Sequence, residues 1–149
     1  MSVGDICNRE VVVMDKQGSL FEAAKLMRDH HVGNIVVTED HPHRRVPIGI
    51  VTDRDLVVEV LAEGVDPRTL IVADIMSYEL LTAREDDELL DTIRVMRAHG
   101  IRRIPVVDRD GALEGIVAVD DLLDLVAEQL TDLVELFRRE QGIERRRRA

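Results

Sequence analysis

Gly49-Ile50-Val51-Thr52-Asp53-Arg54-Asp55 and Gly115-Ile116-Val117-Ala118-Val119-Asp120-Asp121 are the two stretches from which the fold can be read. Each places a glycine ahead of a short apolar run, then an acid a few residues on. That is the pattern of a strand passing directly into a helix. Earlier in each copy, Val3-Gly4-Asp5-Ile6 returns as Val72-Ala73-Asp74-Ile75, at an offset of 69 residues. At the same offset Leu20 matches Leu89, Met27 matches Met96, Arg28 matches Arg97 and His30 matches His99. Ile35 likewise matches Ile104, and Val37 matches Val106. Self-similarity at a fixed period marks a duplication. The glycine-led motifs stand three residues closer together, so the first copy carries three extra residues. They fall in the polar stretch 39–45, which is expected to be a loop, where a length change costs least.

Each copy reads β-α-β-β-α. The opening strands are Val11-Val12-Val13 and Leu80-Leu81-Thr82. An amphipathic helix follows. In the first copy Ser19 and Glu22 have capping-box spacing ahead of Leu20, Ala23, Ala24 and Met27. In the second, Leu89, Ile93 and Met96 form the apolar stripe, and Asp86 and Asp87 bring negative charge to the helix start. Two strands joined by a turn come next, as in Ile104-Pro105-Val106-Val107, the turn Asp108-Arg109-Asp110-Gly111, then Gly115-Ile116-Val117. Closing helices are expected near 53–63 and 119–140. The predicted class is α/β (α+β): two pseudo-symmetric βαββα repeats in one module, with an extended C-terminal helix. The repeats are assigned to 2–66 and 67–130, and the helical extension with its basic tail to 131–149. Gly64-Val65-Asp66-Pro67 is a short connector. A copy this small is marginal alone, so the two are expected to share one core.

Apolar residues make up 45% of the 149, but aromatic residues only 2%, so the core must be aliphatic. The formal net charge of −10 argues against a general nucleic-acid binder. The tail Arg145 to Arg148 reads as a solvated, frayed terminus. A lone Cys7 permits no intrachain disulfide and fits a reducing cytoplasm. The N-terminus lacks a secretory pattern, and no apolar run is long enough to cross a bilayer, so a soluble cytoplasmic protein is expected. His41 and His43 flank Pro42 in the longer loop and are read as solvated rather than metal-binding. No catalytic acid–base pair, metal cluster or glycine-rich phosphate loop is visible. No enzyme activity and no catalytic cofactor are expected.

The two glycine-led motifs, with the run His99-Gly100-Ile101-Arg102-Arg103-Ile104-Pro105-Val106-Val107, resemble the CBS domain pair, or Bateman module, over residues 2–130. The resemblance implies an adenine-nucleotide or related ligand (AMP, ADP, ATP, NAD or an S-adenosyl compound) in clefts between the repeats, homodimerisation and regulation of a partner protein. Catalysis is not implied by it, and no membrane contact is expected, since no apolar run is long enough to cross a bilayer.

Physically, Thr52 ends a strand where helix amides and the helix dipole favour phosphate, and its hydroxyl can add a hydrogen bond. Asp55 has two acceptor oxygens suited to ribose hydroxyls. The alternative is a Thr52 N-cap with Asp55 as a first-turn acid. Arg54 lies in the same stretch. The resemblance places a basic residue before the apolar-Pro-Val strand, so Arg102 and Arg103 are candidates, Arg103 first, against a reading as solvated arginines. It also assigns the adenine slot to Ile50, Leu80, His99 and Ile101. A second, weaker site would use Val11, Val32, Ile116 and Asp121, where Ala118 replaces the hydroxyl residue. Any of these apolar residues can equally be plain core. The last helix carries Leu122, Leu125, Val126, Leu130, Leu133, Val134 and Phe137, a stripe that either folds back or packs on a second subunit. Competing readings are a structural protein with vestigial pockets and a weak nucleic-acid binder acting through the arginine tail.

Overall fold

The Ser19-led stripe forms the helix its spacing demands. In the computed structural model, which describes residues 1–149, α2 runs Leu20–His30. The Ser19 hydroxyl accepts the Glu22 amide at 3.0 Å, and Leu20, Ala23 and Met27 are buried. His31 ends the helix in the left-handed conformation. The equivalent α5, Leu89–His99, ends on Gly100 at φ 63°, where the missing Cβ makes that geometry inexpensive. Asp86 and Asp87 stand just ahead of its Glu88 N-cap, negative charge beside the helix start as expected, and Asp87 also accepts the Arg84 amide at 2.8 Å, closing a turn.

Residues 1–117 form one unit and residues 118–149 another. In the first unit β1 (Val13–Asp15) pairs parallel with β2 (Asn34–His41), which pairs antiparallel with β3 (Arg44–Thr52). The second sheet orders β4 (Ala83–Arg84), β5 (Arg103–Val107) and β6 (Leu113–Ala118) in the same way. The opening strands thus begin later than Val11 and Leu80. Register against the buried neighbour decides this: Val13 lies opposite Val36, and Ala83 opposite Val106. The stretch 39–45 is not a loop either. It extends the β2–β3 hairpin to a two-residue tip at Pro42 and His43, with His41 opposite Arg44. Ladder bonds use backbone alone, so polar residues can carry them. The lengthened hairpin reaches the other repeat, where Arg44 Nη1 donates to the Asp110 carbonyl at 2.6 Å.

The repeats exchange their leading segments. Val3 N–H donates to Asp87 O at 2.9 Å and Gly4 N–H to Glu85 O at 2.8 Å, so α1 (Val3–Ile6) sits on the second repeat. Symmetrically, Val72 N–H donates to Gly18 O at 3.0 Å and Ala73 N–H to Lys16 O at 3.2 Å, seating α4 (Val72–Ile75) on the first. The bridges Ser2–Glu88 and Ser19–Ile71 are mirror images, as are Asn8–Ile116 and Ile50–Ser77. Val72 and Met76 complete the first repeat's core beside Leu20, Ile35 and Val51. Neither repeat closes its core without the other, which gives the predicted shared core its mechanism.

The closing helix of the first repeat departs from a plain α-helix. After α3 (Asp53–Asp55) the chain continues as a π-helix, Leu56–Leu61, with only Val60 buried. In the second unit α6 runs Val119–Arg148, past the expected end at 140. The arginine tail is helical rather than frayed. Arg148 pairs with Glu144 at 2.6 Å, and four arginines in the last turn suit the negative end of the helix dipole.

Candidate functional site

Strand β3 shows how the site is made. Pro47, Gly49 and Val51 are buried, whereas Ile48, Ile50 and Thr52 between them are half-buried. Alternation along a strand therefore puts Ile50 and Thr52 on one partly open face, back to back with the core. Ile50 is joined to the incoming segment by the Ser77 amide, which donates to its carbonyl at 3.0 Å. Gly49 permits this approach: a Cβ there would lie 2.6 Å from Met76 Sδ and 2.7 Å from the Ser77 carbonyl. Gly115 has the same role against Cys7 and Asn8. Burial pushes the Cys7 thiol above its ordinary value, as suits a packing residue rather than a nucleophile.

Thr52 and Asp55 form a complete capping box. Thr52 Oγ1 accepts the Asp55 amide at 3.1 Å, and Asp55 Oδ2 accepts the Thr52 amide at 2.8 Å. The local alternative is thus realised, but it does not exhaust either side chain. The Thr52 hydroxyl proton can still be donated, and Oδ1 of Asp55 can still accept. Ser2 with Asp5 and Ile71 with Asp74 repeat the acid-to-amide bond, both at 2.9 Å.

A cleft of about 380 Å³ opens beside this junction, lined by Asp55, Glu59, Val65, Leu70, Asp74, Ile75, Met76 and Ser77. Of the predicted residues only Asp55 lines it. Segment 74–77 was absent from the predicted site, although its match to the N-terminal Val-Gly-Asp-Ile marks it as an element each repeat uses. Three carboxylates at the rim favour hydroxyl and amine groups over bare phosphate.

The other predicted residues fall into two groups. Leu80, Ile101 and Arg103 are half-buried, as are Val11, Val32 and Ile116, so none of the apolar ones is plain core. Arg54, Arg102 and His99 are exposed; His99 ends α5 with Nδ1 3.0 Å from the Val95 carbonyl. Asp121 is an exposed acid in the first turn of α6, whose N-cap is Ala118.

His41 and His43 belong to the hairpin. His41 Nε2 lies 3.1 Å from Glu39 Oε2, and Lys16 engages the same carboxylate. These partners hold the Glu39 carboxyl below its usual range, the Lys16 bond first. No group of three His, Cys, Asp or Glu is arranged to hold a metal ion. No helix is long and apolar enough to cross a membrane.

Two βαββα repeats that exchange leading segments and leave a half-open face at each strand–helix junction define a paired-repeat ligand-binding module. The chain belongs to the CBS domain family, whose pattern matches residues 3–62 and 72–128. It is 38% identical over 125 residues to protein MK0525 of Methanopyrus kandleri, covering 84% of this chain but only 62% of that protein. It is 39% identical to the CBS domain-containing protein YhcV of Bacillus subtilis, covering 81% and 82% of the two chains.

Among solved structures, hypoxic response protein I with two coordinated zinc ions superposes with a TM-score of 0.70 at 31% identity, over 83% and 98% of the chains. The CBS domain pair of protein MJ0100, in complex with 5′-methylthioadenosine and S-adenosyl-L-methionine, gives 0.73 at 26% identity, over 87% and 98%. A hexameric CBS-CP12 protein from bloom-forming cyanobacteria gives 0.69 at 29%, over 83% and 69%.

Proposed function

We propose that this chain is a non-catalytic regulatory module that binds an adenine nucleotide (AMP, ADP, ATP or NAD) at the Thr52–Asp55 junction and passes a conformational change to a partner protein. The observation that carries the reading is the pairing of Ile50 and Thr52 on one half-open face beside a helix start whose Asp55 retains an acceptor oxygen. An apolar surface, a hydroxyl donor and a carboxylate acceptor are the three features an adenosine needs. The MJ0100 pair, bound to two adenosine compounds, supports that ligand class. Arg103 is the group assigned to phosphate, since the acidic cleft itself repels it. Ligand here would contact both β3 and the segment entering from the second repeat. Binding therefore biases how the repeats are joined, which is the conformational output.

The test is a thermal-shift panel of AMP, ADP, ATP, NAD, 5′-methylthioadenosine and S-adenosylmethionine. A ligand at about 100 times its Kd adds roughly 2.7 kcal/mol to the native state. Asp55→Asn keeps an acceptor for the Thr52 amide but weakens the ribose contact, so it should remove most of the shift without unfolding the protein. Asp121→Ala should leave the tight phase nearly intact. Failure of every adenosine compound at millimolar concentration would return the chain to a purely structural role.

A further inference from the structure

The family pattern ends at residue 128, but α6 continues to Arg148. Beyond residue 128 the helix keeps an ordered apolar face. Leu130, Leu133, Val134 and Phe137 lie on it at spacings of three and four, and are between 42% and 65% exposed. Helices keep such a stripe when something covers it.

Charge says what the cover is. Acids fill the first third of the helix, Asp120, Asp121, Asp124 and Glu128, with no basic residue among them. The last third ends in Arg145 to Arg148. The midpoint of Val119–Arg148 falls between Leu133 and Val134, at the centre of the apolar patch. Laid antiparallel about that midpoint, two copies of the helix overlap over their whole length, roughly 45 Å at 1.5 Å per residue. Leu130 then faces Phe137 of the other copy, and Leu133 faces Val134. Each arginine tail runs beside the acidic first turns opposite. The opposed helix dipoles add to the attraction. A parallel pair would set arginines against arginines and acids against acids.

We propose that α6 is a self-association surface on which a second copy of this chain docks antiparallel, with the patch 130–137 as its apolar centre and the charged ends setting orientation. The pairing requires no nucleotide, so its failure and that of the ligand reading are separately visible.

Sedimentation of the full chain tests it. The Leu130→Glu/Leu133→Glu chain should show a dissociation constant raised about a hundredfold or more, with the assembly one step smaller. At concentrations below the natural chain's dissociation constant its melting temperature should match that of the natural chain, because both side chains are exposed in the single chain; at higher concentrations only the natural chain should gain stability from association. Reversing Arg145 to Arg148 to glutamate should weaken association about tenfold at low salt, and added salt should weaken the natural chain, since attraction is being screened. Orientation is read by disulfides in a Cys7→Ser background. Val126→Cys and Gln141→Cys chains, mixed and mildly oxidised, should cross-link to each other rather than to themselves. Those positions are about 22 Å apart within one helix, too far for an internal bond. An unchanged mass for the double glutamate variant, same-site cross-links, or association strengthened by salt would each overturn the proposal.

Discussion

Replacing Gly49 by alanine tests the exchange of segments on which the whole module rests. The new Cβ would stand 2.6 Å from Met76 Sδ, 2.9 Å from Met76 Cγ and 2.7 Å from the Ser77 carbonyl oxygen. Met76 is buried and has little room to retreat. The Ser77 carbonyl is backbone, so it can yield only by moving the segment whose Ser77 amide donates to the Ile50 carbonyl at 3.0 Å. Overpacking of this kind costs about 1–3 kcal/mol. Loss of the bridging hydrogen bond adds about 1 kcal/mol. The sum is about 2–4 kcal/mol, read as a lower urea midpoint at constant m. Gly115→Ala should cost less, because its nearest contact, 2.8 Å, is a cysteine side chain and the carbonyl stands at 2.9 Å. Gly142→Ala, with nothing within 4 Å of the added methyl, should leave stability unchanged or raise it by up to about 1 kcal/mol. In a double-mutant cycle, Met76→Ala should relieve part of the Gly49→Ala penalty, leaving the carbonyl clash. A Gly49→Ala protein within about 0.5 kcal/mol of the natural one would refute the close approach and the exchange built on it.

Equivalent core positions should behave alike: Ile35 and Ile104 are 0% and 1% exposed, so truncating either to alanine should cost about 2–5 kcal/mol. Each variant should unfold in a single urea transition, and two separated transitions would show that the repeats do not share a core. The Glu39 carboxyl is held below its usual range by Lys16 and His41, so its contribution is present above that range and is lost as pH falls through the lowered value. The Lys16 ammonium is raised by Glu39, so its share is present below the ordinary lysine value and is lost as pH climbs through the raised one. Glu39→Gln should flatten both limbs in a stability–pH titration; identical curves would show that the pair contributes nothing.

The duplication, the order of elements and the identity of the core were legible in the sequence, because each is carried by short-range signals. Spacing of three and four made α2 and α5 readable, and a matched offset tied Ile35 to Ile104. The Thr52–Asp55 capping box was legible for the same reason: a hydroxyl residue three positions before an acid at a strand–helix junction is a local pattern. The strand starts were not legible, since Val11 and Leu80 look as strand-like as Val13 and Ala83, and only the buried neighbour's register separates them. Nor was the hairpin at 39–45, because its polar side chains hide a backbone ladder that needs none of them. Tertiary packing alone settled which repeat each Val-x-Asp-Ile segment serves. Sequence places α1 before the first repeat and α4 before the second, yet each seats its valine in the core of the other. A chain segment's neighbours in sequence are set by covalent bonds, whereas its packing partners are whichever surfaces remain open. Here those surfaces are the edges exposed beside Gly49 and Gly115, where the absence of a side chain lets another backbone in.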